Sequence, residues 1–593
     1  MRVSDYIFER LSREGIKKSY LVTGRGALFL TDGLAKCEKI EAICCHHEQA
    51  AGYAAVADSQ LNENLGLAVV STGCASTNSL TPVLSAWQDG LPVLFLSGQH
   101  IKDETTYFTG LNIRTYGQQE ANIIDIVKSI TKFSAMATCA KEVPELLEKA
   151  ITSSKTGRKG PVWLDIPLDI QSAQIDIESL SLKECKDDAE ALESNSLNKV
   201  KSLISNSKRP VILIGSGIRS SNTQDELRKF VEVNQIPVVF TASAVDTYPA
   251  DNLYSVGSVG SMGCSREGAF TLQNSDLIIV LGNRLPSIVT GLDFCKFGRD
   301  AKVIVIDIDR EEHQKKGVNI DIFLQMDLKK FFQEIGSERI TPKNSKWIEA
   351  TEKFKEKLRH LENFKLTEKV DLYSLSNTLS KEMSDDSILI TDSGFIEVIL
   401  PTNINFSPSR RAIHPVSQGA MGFAIPAIIG AYDKGNPDRE IICVVGDGTI
   451  MMNLQELQTI KHHNIPAKII VVNNNIYSII RRRQKELFRK RTIGTGIEDG
   501  LSVPNFQRVA DTFGLQYTRV DSENELEKKI SKFLSQKGSG ICEILGRLDQ
   551  EYIEISHTRA SNGKFVRRPL EDQWPFIDRD LFNELMIVEA IDQ

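Results

Sequence analysis

Ile441-Ile442-Cys443-Val444-Val445 runs straight into Gly446-Asp447-Gly448, and Lys468-Ile469-Ile470-Val471-Val472 runs straight into Asn473-Asn474. Each apolar run is strand-length. Between the two motifs lie 24 residues, 449 to 472, enough for one helix and one strand, which is the span of a βαβ crossover. Asp447 and Asn474 are therefore expected at the carboxyl ends of two parallel strands, facing one crevice. A carboxylate, an amide oxygen and a nearby backbone carbonyl are hard oxygen donors that suit Mg²⁺, which commonly shares its shell with phosphate oxygens. A helix starting near Thr449 would add backbone N–H groups for such a phosphate.

The same rhythm extends in both directions. Around this pair, SILITDSG, LQYTRVDS and SGICEILG complete a series that ends near residue 546. Upstream, RPVILIGSG at 209–217, IPVVFTAS, SDLIIVLGNR and AKVIVIDID at 301–309 form a second series. SYLVTG, EAICCHH, GLAVVST, LPVLFLSG and GPVWLDIP form a first, between Ile16 and Pro167. Strands alternating with helical stretches predict an α/β protein with three doubly wound parallel-sheet domains, at residues 1–178, 195–338 and 368–548. The acidic stretch 182–196 reads as a linker, and the charged stretch 344–369 as a helix bridging domains. A tail at 549–593 follows without a clear strand pattern and is expected to fold over the site as a lid.

Composition narrows the function class. Lys and Arg number 71 against 78 Asp and Glu, a net charge of -7, which provides no field for nucleic acid or an anionic membrane. The opening MRVSDYIFERLSREG carries both signs of charge and no long apolar run, so it reads as neither a secretory signal nor a presequence. The apolar runs are too short to span a bilayer. Ten cysteines without a C-x-x-C pair read as reduced thiols, and the expected location is the cytoplasm. Cys44-Cys45-His46-His47-Glu48 is not expected to bind a metal, because consecutive strand residues face opposite sides.

The G-D-G motif followed by N-N at this spacing resembles the diphosphate and metal signature of the thiamine-diphosphate enzymes, and the chain resembles the acetolactate synthase large subunit over nearly its whole length. That resemblance implies a pyrimidine-binding first domain, a central domain and a diphosphate-binding third domain. It implies thiamine diphosphate bound through Gly394, Gly419, Gly446, Asp447, Gly448, Asn474 and Ile476, with Mg²⁺ held by Asp447, Asn474 and the Ile476 carbonyl. The run HHEQAAGYAAVAD gives Glu48 as the carboxylate that shares a proton with the cofactor's aminopyrimidine ring. Taken alone, a Glu opening a helix is more often a dipole partner. SQGAMGFAIPAIIGA at 417–431 gives Met421 as the apolar support of the bent cofactor, although a Met there is more often core. LSGQH at 96–100 places Gln99 on the substrate side.

The implied reaction is decarboxylation of a 2-oxo acid, pyruvate foremost, with carboligation of the two-carbon unit to a second small molecule. Glu48 and Asp447 lie in different domains, and the resemblance implies that they meet across the subunit interface of a homodimer or homotetramer. FAD in the central domain is also compatible with it.

Three departures concern the acceptor. RTYGQQE puts Gln118 where the family carries Phe. NNNIYSIIRRRQKELF puts Arg481, Arg482 and Arg483 where the family carries a tryptophan; Arg481 and Arg483 are read as ligands for an anionic substrate, against the plainer reading of a solvated helix face. TDSGFIEV at 391–398 has Phe395 and Ile396 in place of a polar pair. Two readings follow within the enzyme class: acetolactate formation, or transfer of the two-carbon unit to a nucleotide-linked keto sugar in surface-polysaccharide synthesis. A third reading, a non-catalytic nucleotide-binding protein, rests only on the G-x-G at 215–217, since no G-x-G-x-x-G opens any unit.

Overall fold

The computed structural model describes residues 1–177, 194–341, 345–359, 361, 368–559 and 563–591. Most of the expected linker at 182–196 lies outside the described residues; its last three belong to the helix Ser194–Asn206.

Three six-stranded sheets follow one another along the chain. The first holds β1 (Lys18–Leu21), β2 (Glu41–Cys44), β3 (Gly66–Val70), β4 (Val93–Gln99), β5 (Phe133–Met136) and β6 (Val162–Pro167), in the order β2-β1-β3-β4-β6-β5. The second holds β7 (Pro210–Ile214), β8 (Val238–Phe240), β9 (Ser255–Ser258), β10 (Leu277–Leu281), β11 (Lys302–Asp307) and β12 (Ile322–Gln325), in the order β12-β11-β10-β7-β8-β9. The third holds β13 (Ile388–Thr391), β14 (Arg411–Ile413), β15 (Ile441–Gly446), β16 (Lys468–Asn473), β17 (Gln516–Val520) and β18 (Gly540–Leu545), in the order β14-β13-β15-β16-β18-β17. Neighbouring strands pair in parallel, as the alternation with helices requires. The central strands are buried on both faces, which explains their unbroken apolar text.

The first and third units pack through two Ala-rich helices, Glu48–Asn62 and Ala424–Ala431. Small side chains let the backbones approach closely. A Cβ at Gly430 would sit 2.2 Å from the Ala54 carbonyl oxygen, so this contact needs glycine. Lys18 Nζ donates to the carbonyls of Gly430 and Tyr432, both at 2.9 Å, and the Tyr53 ring meets the Phe423 ring edge-on at 5.4 Å.

Two segments pack more closely than their charged text suggests. The helix Ser345–Leu358 is not a solvated bridge, for it buries Trp347, Phe354 and Leu358 against Phe270 of the central unit. The tail, expected as a lid, is packed down over much of its length. After an antiparallel pair, β19 (His557–Arg559) and β20 (Phe565–Arg567), it forms the helix Arg579–Leu585, whose Phe582 and Leu585 join that same apolar cluster. Each such side chain contributes about 1.5–3 kcal/mol by leaving water. The Glu571 carboxylate, fully buried, accepts from Arg299 Nη1 at 2.7 Å and from Gln273 at 2.7 Å. The tail is thus docked on the central unit through its helix and on the third unit through Tyr552 and Glu554.

Candidate active site

Register pairs Gly446 with Val472, so the chains leave β15 and β16 side by side. Asp447 is the first residue past β15 and is 4% exposed. Its N–H donates to the Val472 carbonyl at 3.1 Å. Its Oδ2 accepts the backbone N–H of Asn474 at 3.0 Å and of Asn475 at 2.6 Å. Burial pushes its pKa up to about 6, against the pull of those N–H groups. Asn474 turns its amide oxygen toward the N–H of Ile476 at 3.2 Å, while its Nδ2 donates to Ser478 Oγ and the Arg547 carbonyl. Its neighbour Asn473 faces the other way and donates to Glu543 Oε1 at 2.6 Å. Asp447 and Asn474 are therefore gathered as the spacing predicts, with Ile476 beside them. A buried carboxylate whose hydrogen-bond partners are backbone N–H groups, next to an amide oxygen, fits a hard divalent cation.

The adjoining turn differs from expectation. No α-helix starts near Thr449; a 3₁₀ turn, Ile450–Met452, intervenes before the helix Glu456–His462. Thr449 Oγ1 accepts the Gly446 N–H at 3.0 Å and closes the turn. A Cβ at Gly448 would lie 1.9 Å from Cε1 of Tyr477, so the tyrosine ring covers this glycine directly.

Gly394 precedes the helix Phe395–Asn403 with φ +100°, and Gly419 has φ +57°. Asp392, at the end of β13, ties the two segments together: it accepts from Ser393 N at 2.8 Å, Gly422 N at 3.1 Å and Ala424 N at 3.0 Å. Burial pushes its pKa up to about 6. Met421 stays half-buried between these anchors, whereas Phe423 two residues on is fully buried. Phe395 and Ile396 face the core, with the Phe395 ring 5.0 Å from that of Tyr552, so the loss of the polar pair is a packing change.

In the first unit Glu48 opens its helix half-buried and accepts Asn78 Nδ2 at 2.9 Å. Gln118 is exposed and accepts Arg25 Nη1 at 3.3 Å. Gln99 is 2% exposed, and both atoms of its amide are engaged inside the domain. Glu48, Gln99 and Gln118 make no hydrogen bond to Asp447, Asn474 or Ile476 among the described residues. The two units are nonetheless joined close by, because Glu456 accepts the N–H groups of His46 and His47 and Gln49 accepts from Asn453. Cys44 is exposed and Cys45 buried, as opposite faces of a strand require.

Arg481 and Arg483 are engaged rather than free. Arg481 pairs with Glu498 at 3.2 Å and Asp499 at 3.6 Å. Arg483 pairs with Glu486 and Glu554, both at 3.0 Å, and Arg482 pairs with the same two carboxylates while lying 4.9 Å over the Tyr552 ring. Glu554 is buried and receives the hydroxyl of Tyr552 as well, so the tail supplies one carboxylate to Arg482 and Arg483, while Arg481 is paired by the 498–499 turn.

A cavity of about 1070 Å³ lies elsewhere, between the units at the carboxyl ends of the second sheet. Gly217, Thr241, Asn283, Arg284 and Asp307 line it, with Glu397 and Gly419 at its far side. This is the point where strand order reverses between β7 and β10, the usual crevice for a ligand in an open sheet. No helix among the described residues is long and apolar enough to cross a membrane.

Sequence reasoning missed Asn78, Asp165 and Asp392, which hold Glu48, Gln99 and the 422–424 backbone. For Asp165 and Asp392 the available signal was an acid in or just past an apolar strand.

Comparison with known proteins agrees along the chain. Residues 1–126 match the N-terminal binding domain model of the thiamine pyrophosphate enzymes, 197–335 their central domain and 392–544 their C-terminal binding domain. The acetolactate synthase large subunit of Corynebacterium glutamicum is 30% identical over 522 residues, 86% of this chain and 81% of that protein. The large subunit of Escherichia coli acetolactate synthase isozyme 1 is 28% identical over 551 residues, 92% of this chain and 94% of its own. The Lactococcus lactis large subunit is 28% identical over 557 residues, covering 91% and 92%. A shared three-domain order, matched sheet by sheet to this fold, makes the chain a member of the thiamine pyrophosphate enzyme family, of the acetolactate synthase large-subunit type.

Proposed function

We propose that the chain uses thiamine diphosphate and Mg²⁺ to decarboxylate pyruvate and join the two-carbon unit to a second 2-oxo acid, as the named activity of its relatives suggests. The observation that carries this reading is the paired strand ends, where buried Asp447 and the amide oxygen of Asn474 face the same loop. Asp447, Asn474 and the Ile476 carbonyl would hold Mg²⁺, and the open backbone at Gly394, Gly419 and Gly446, with Gly448 beside them under the Tyr477 ring, would admit the diphosphate. Met421 would support the bent cofactor, whose thiazolium, when bound, accepts the electron pair left behind by CO₂. Glu48 would share a proton with the cofactor's ring nitrogen from a half-buried position that Asn78 fixes.

Glu48 shares no hydrogen bond with the metal loop of its own chain, which favours a homodimer in which it serves the cofactor of a second copy. Exposed Tyr107, Leu111 and Tyr116 on the first unit and Met451, Met452 and Leu487 on the third are apolar surfaces suited to that contact. The large cavity fits FAD in size and position, with Arg284 and the close backbones of Gly217 and Gly282 to receive its diphosphate; flavin absorbance in purified protein tests this.

Labelled pyruvate given alone, with both cofactors, is expected to yield acetolactate. Turnover that appears only with an added nucleotide-linked keto sugar would replace this reading by two-carbon transfer to a sugar. The pairing of Arg481 and Arg483 with carboxylates favours the first outcome.

A further inference from the structure

We propose that Asp165 is a positioning residue for the carboligation reaction, fixing through Gln99 and Ala121 the loop 117–121 that carries Gln118 against the segment that holds Glu48. The proposal rests on the carboligation reading only for its activity measurement.

Asp165 lies inside β6, 1% exposed, opposite Ser97 of β4. The hydrogens around it run in one direction. Trp163 Nε1 donates to Ser97 Oγ at 2.8 Å, and an indole N–H can only donate, which leaves the Ser97 hydroxyl to donate onward to Asp165 Oδ1 at 2.6 Å. The backbone N–H of His100 donates to Gln99 Oε1 at 3.0 Å and so fixes which way the Gln99 amide points. Its Nε2 then has two hydrogens to place, one on Asp165 Oδ2 at 3.0 Å and one on the Ala121 carbonyl at 2.7 Å. Asp165 thus faces two donors and needs two acceptor oxygens, which a carboxylate provides.

Burial, with the charge of Glu120 adding to it, pushes the Asp165 pKa up to about 7; an apolar side chain of similar size would avoid that penalty but leave the buried Ser97 and Gln99 donors unpaired. What the carboxylate secures is Ala121, the last residue of a loop that packs tightly against its surroundings. The Gln119 carbonyl sits where a Cβ at Gly73 would be, 2.0 Å away, and a Cβ at Gly117 would come within 2.6 Å of the His100 ring. Glu120 ties the loop back to Thr106 and Tyr116. Gly73 in turn leads into the short helix Cys74–Asn78, whose last residue donates to Glu48. From Asp165 to Glu48, the connection therefore runs through hydrogen bonds, one backbone contact too close for an added methyl group, and the short chain segments 119–121 and 73–78.

The test compares Asp165→Ala, Asp165→Asn and Gln99→Leu in the holoenzyme with pyruvate, following turnover, cofactor affinity and amide exchange by mass spectrometry. Asp165→Ala is expected to raise exchange at 117–121 and to lower kcat, each by about tenfold or more, with cofactor affinity unchanged. Asp165→Asn can keep an oxygen toward Gln99 but turns its NH₂ on Ser97, whose hydroxyl then loses its acceptor, so stability should drop while loop exchange and kcat stay nearer wild type than in Asp165→Ala. Unchanged exchange at 117–121 in Asp165→Ala, an equal rise in β13 to β16, or an Asn variant as impaired as the Ala variant would overturn the proposal. If Asp165→Ala does not fold, Gln99→Leu cuts the same connection and decides by the same loop measurement. Wild-type protein inert toward pyruvate would remove the reaction reading, and the exchange result would still settle whether Asp165 holds the loop.

Discussion

The carboxylate Oδ2 of Asp447 accepts the backbone N–H of Asn475 at 2.6 Å, so the loop after β16 is fastened to the end of β15 before any ligand arrives. The crevice is consequently preformed. Asp447→Asn removes the negative charge and puts an NH₂ in reach of those N–H groups. Thiamine diphosphate affinity in Mg²⁺, measured by calorimetry, is expected to fall about a hundredfold, as for a lost hydrogen bond to a charged group. Chelating the metal from wild-type protein should reproduce that loss, and wild-type affinity in the variant would remove Asp447 from the metal site.

Glu48→Gln keeps the side-chain length and an acceptor for Asn78 but cannot give up or take a proton. Melting temperature is expected to stay put while kcat falls by roughly a hundredfold or more, the usual weight of a general acid–base group. Normal turnover in this variant would assign proton handling to another residue.

Gly448→Ala tests the contact with Tyr477. A methyl group there would overlap the ring, and the ring cannot retreat freely because the Tyr477 N–H is fixed to the Thr495 carbonyl at 2.8 Å. The expected result is a loss of about 1–3 kcal/mol in unfolding free energy, together with weaker cofactor binding. A second change, Tyr477→Ala, should restore part of the stability.

Asp392 makes a prediction with a definite sign. Its folded pKa is raised to about 6 from an ordinary value near 4, so the folded protein binds the proton more tightly than the unfolded chain does. Its contribution to stability is full below about pH 4 and is lost as pH rises to about 6. The stability of wild-type apoprotein minus that of Asp392→Asn, from urea titrations, should therefore shrink across that window by up to roughly 3 kcal/mol and stay flat above it. A difference that grows with pH would show that the three backbone N–H groups outweigh burial.

Much of this molecule could be read from its text, and what escaped has a common cause. The interior strands, such as β15 and β16, declare themselves because both faces are covered and every residue must be apolar. Within the three large sheets, the four strands left unmarked, β5, β9, β12 and β14, all lie at sheet edges. An edge strand has one pairing neighbour, and runs such as Phe133-Ser134-Ala135-Met136 and Ser255-Val256-Gly257-Ser258 carry no continuous apolar signal. At the site, Asp447 and Asn474 were legible because strand spacing alone brings them together. The buried partner of Arg483 was not, since Glu554 approaches from 71 positions away and nothing local marks it. Gln99 shows the opposite limit: its place at a strand end was clear, but the direction of its amide depends on Asp165 and Ala121, which only the fold supplies.

The helix Arg579–Leu585 also has a consequence for how the protein is made. Phe270, Trp347 and Phe354 await Phe582 and Leu585, which the ribosome adds only after the whole third sheet. Domains commonly finish folding in the order of synthesis. Here the middle one must remain incomplete longest, with an oily patch open to chaperones until the closing helix emerges.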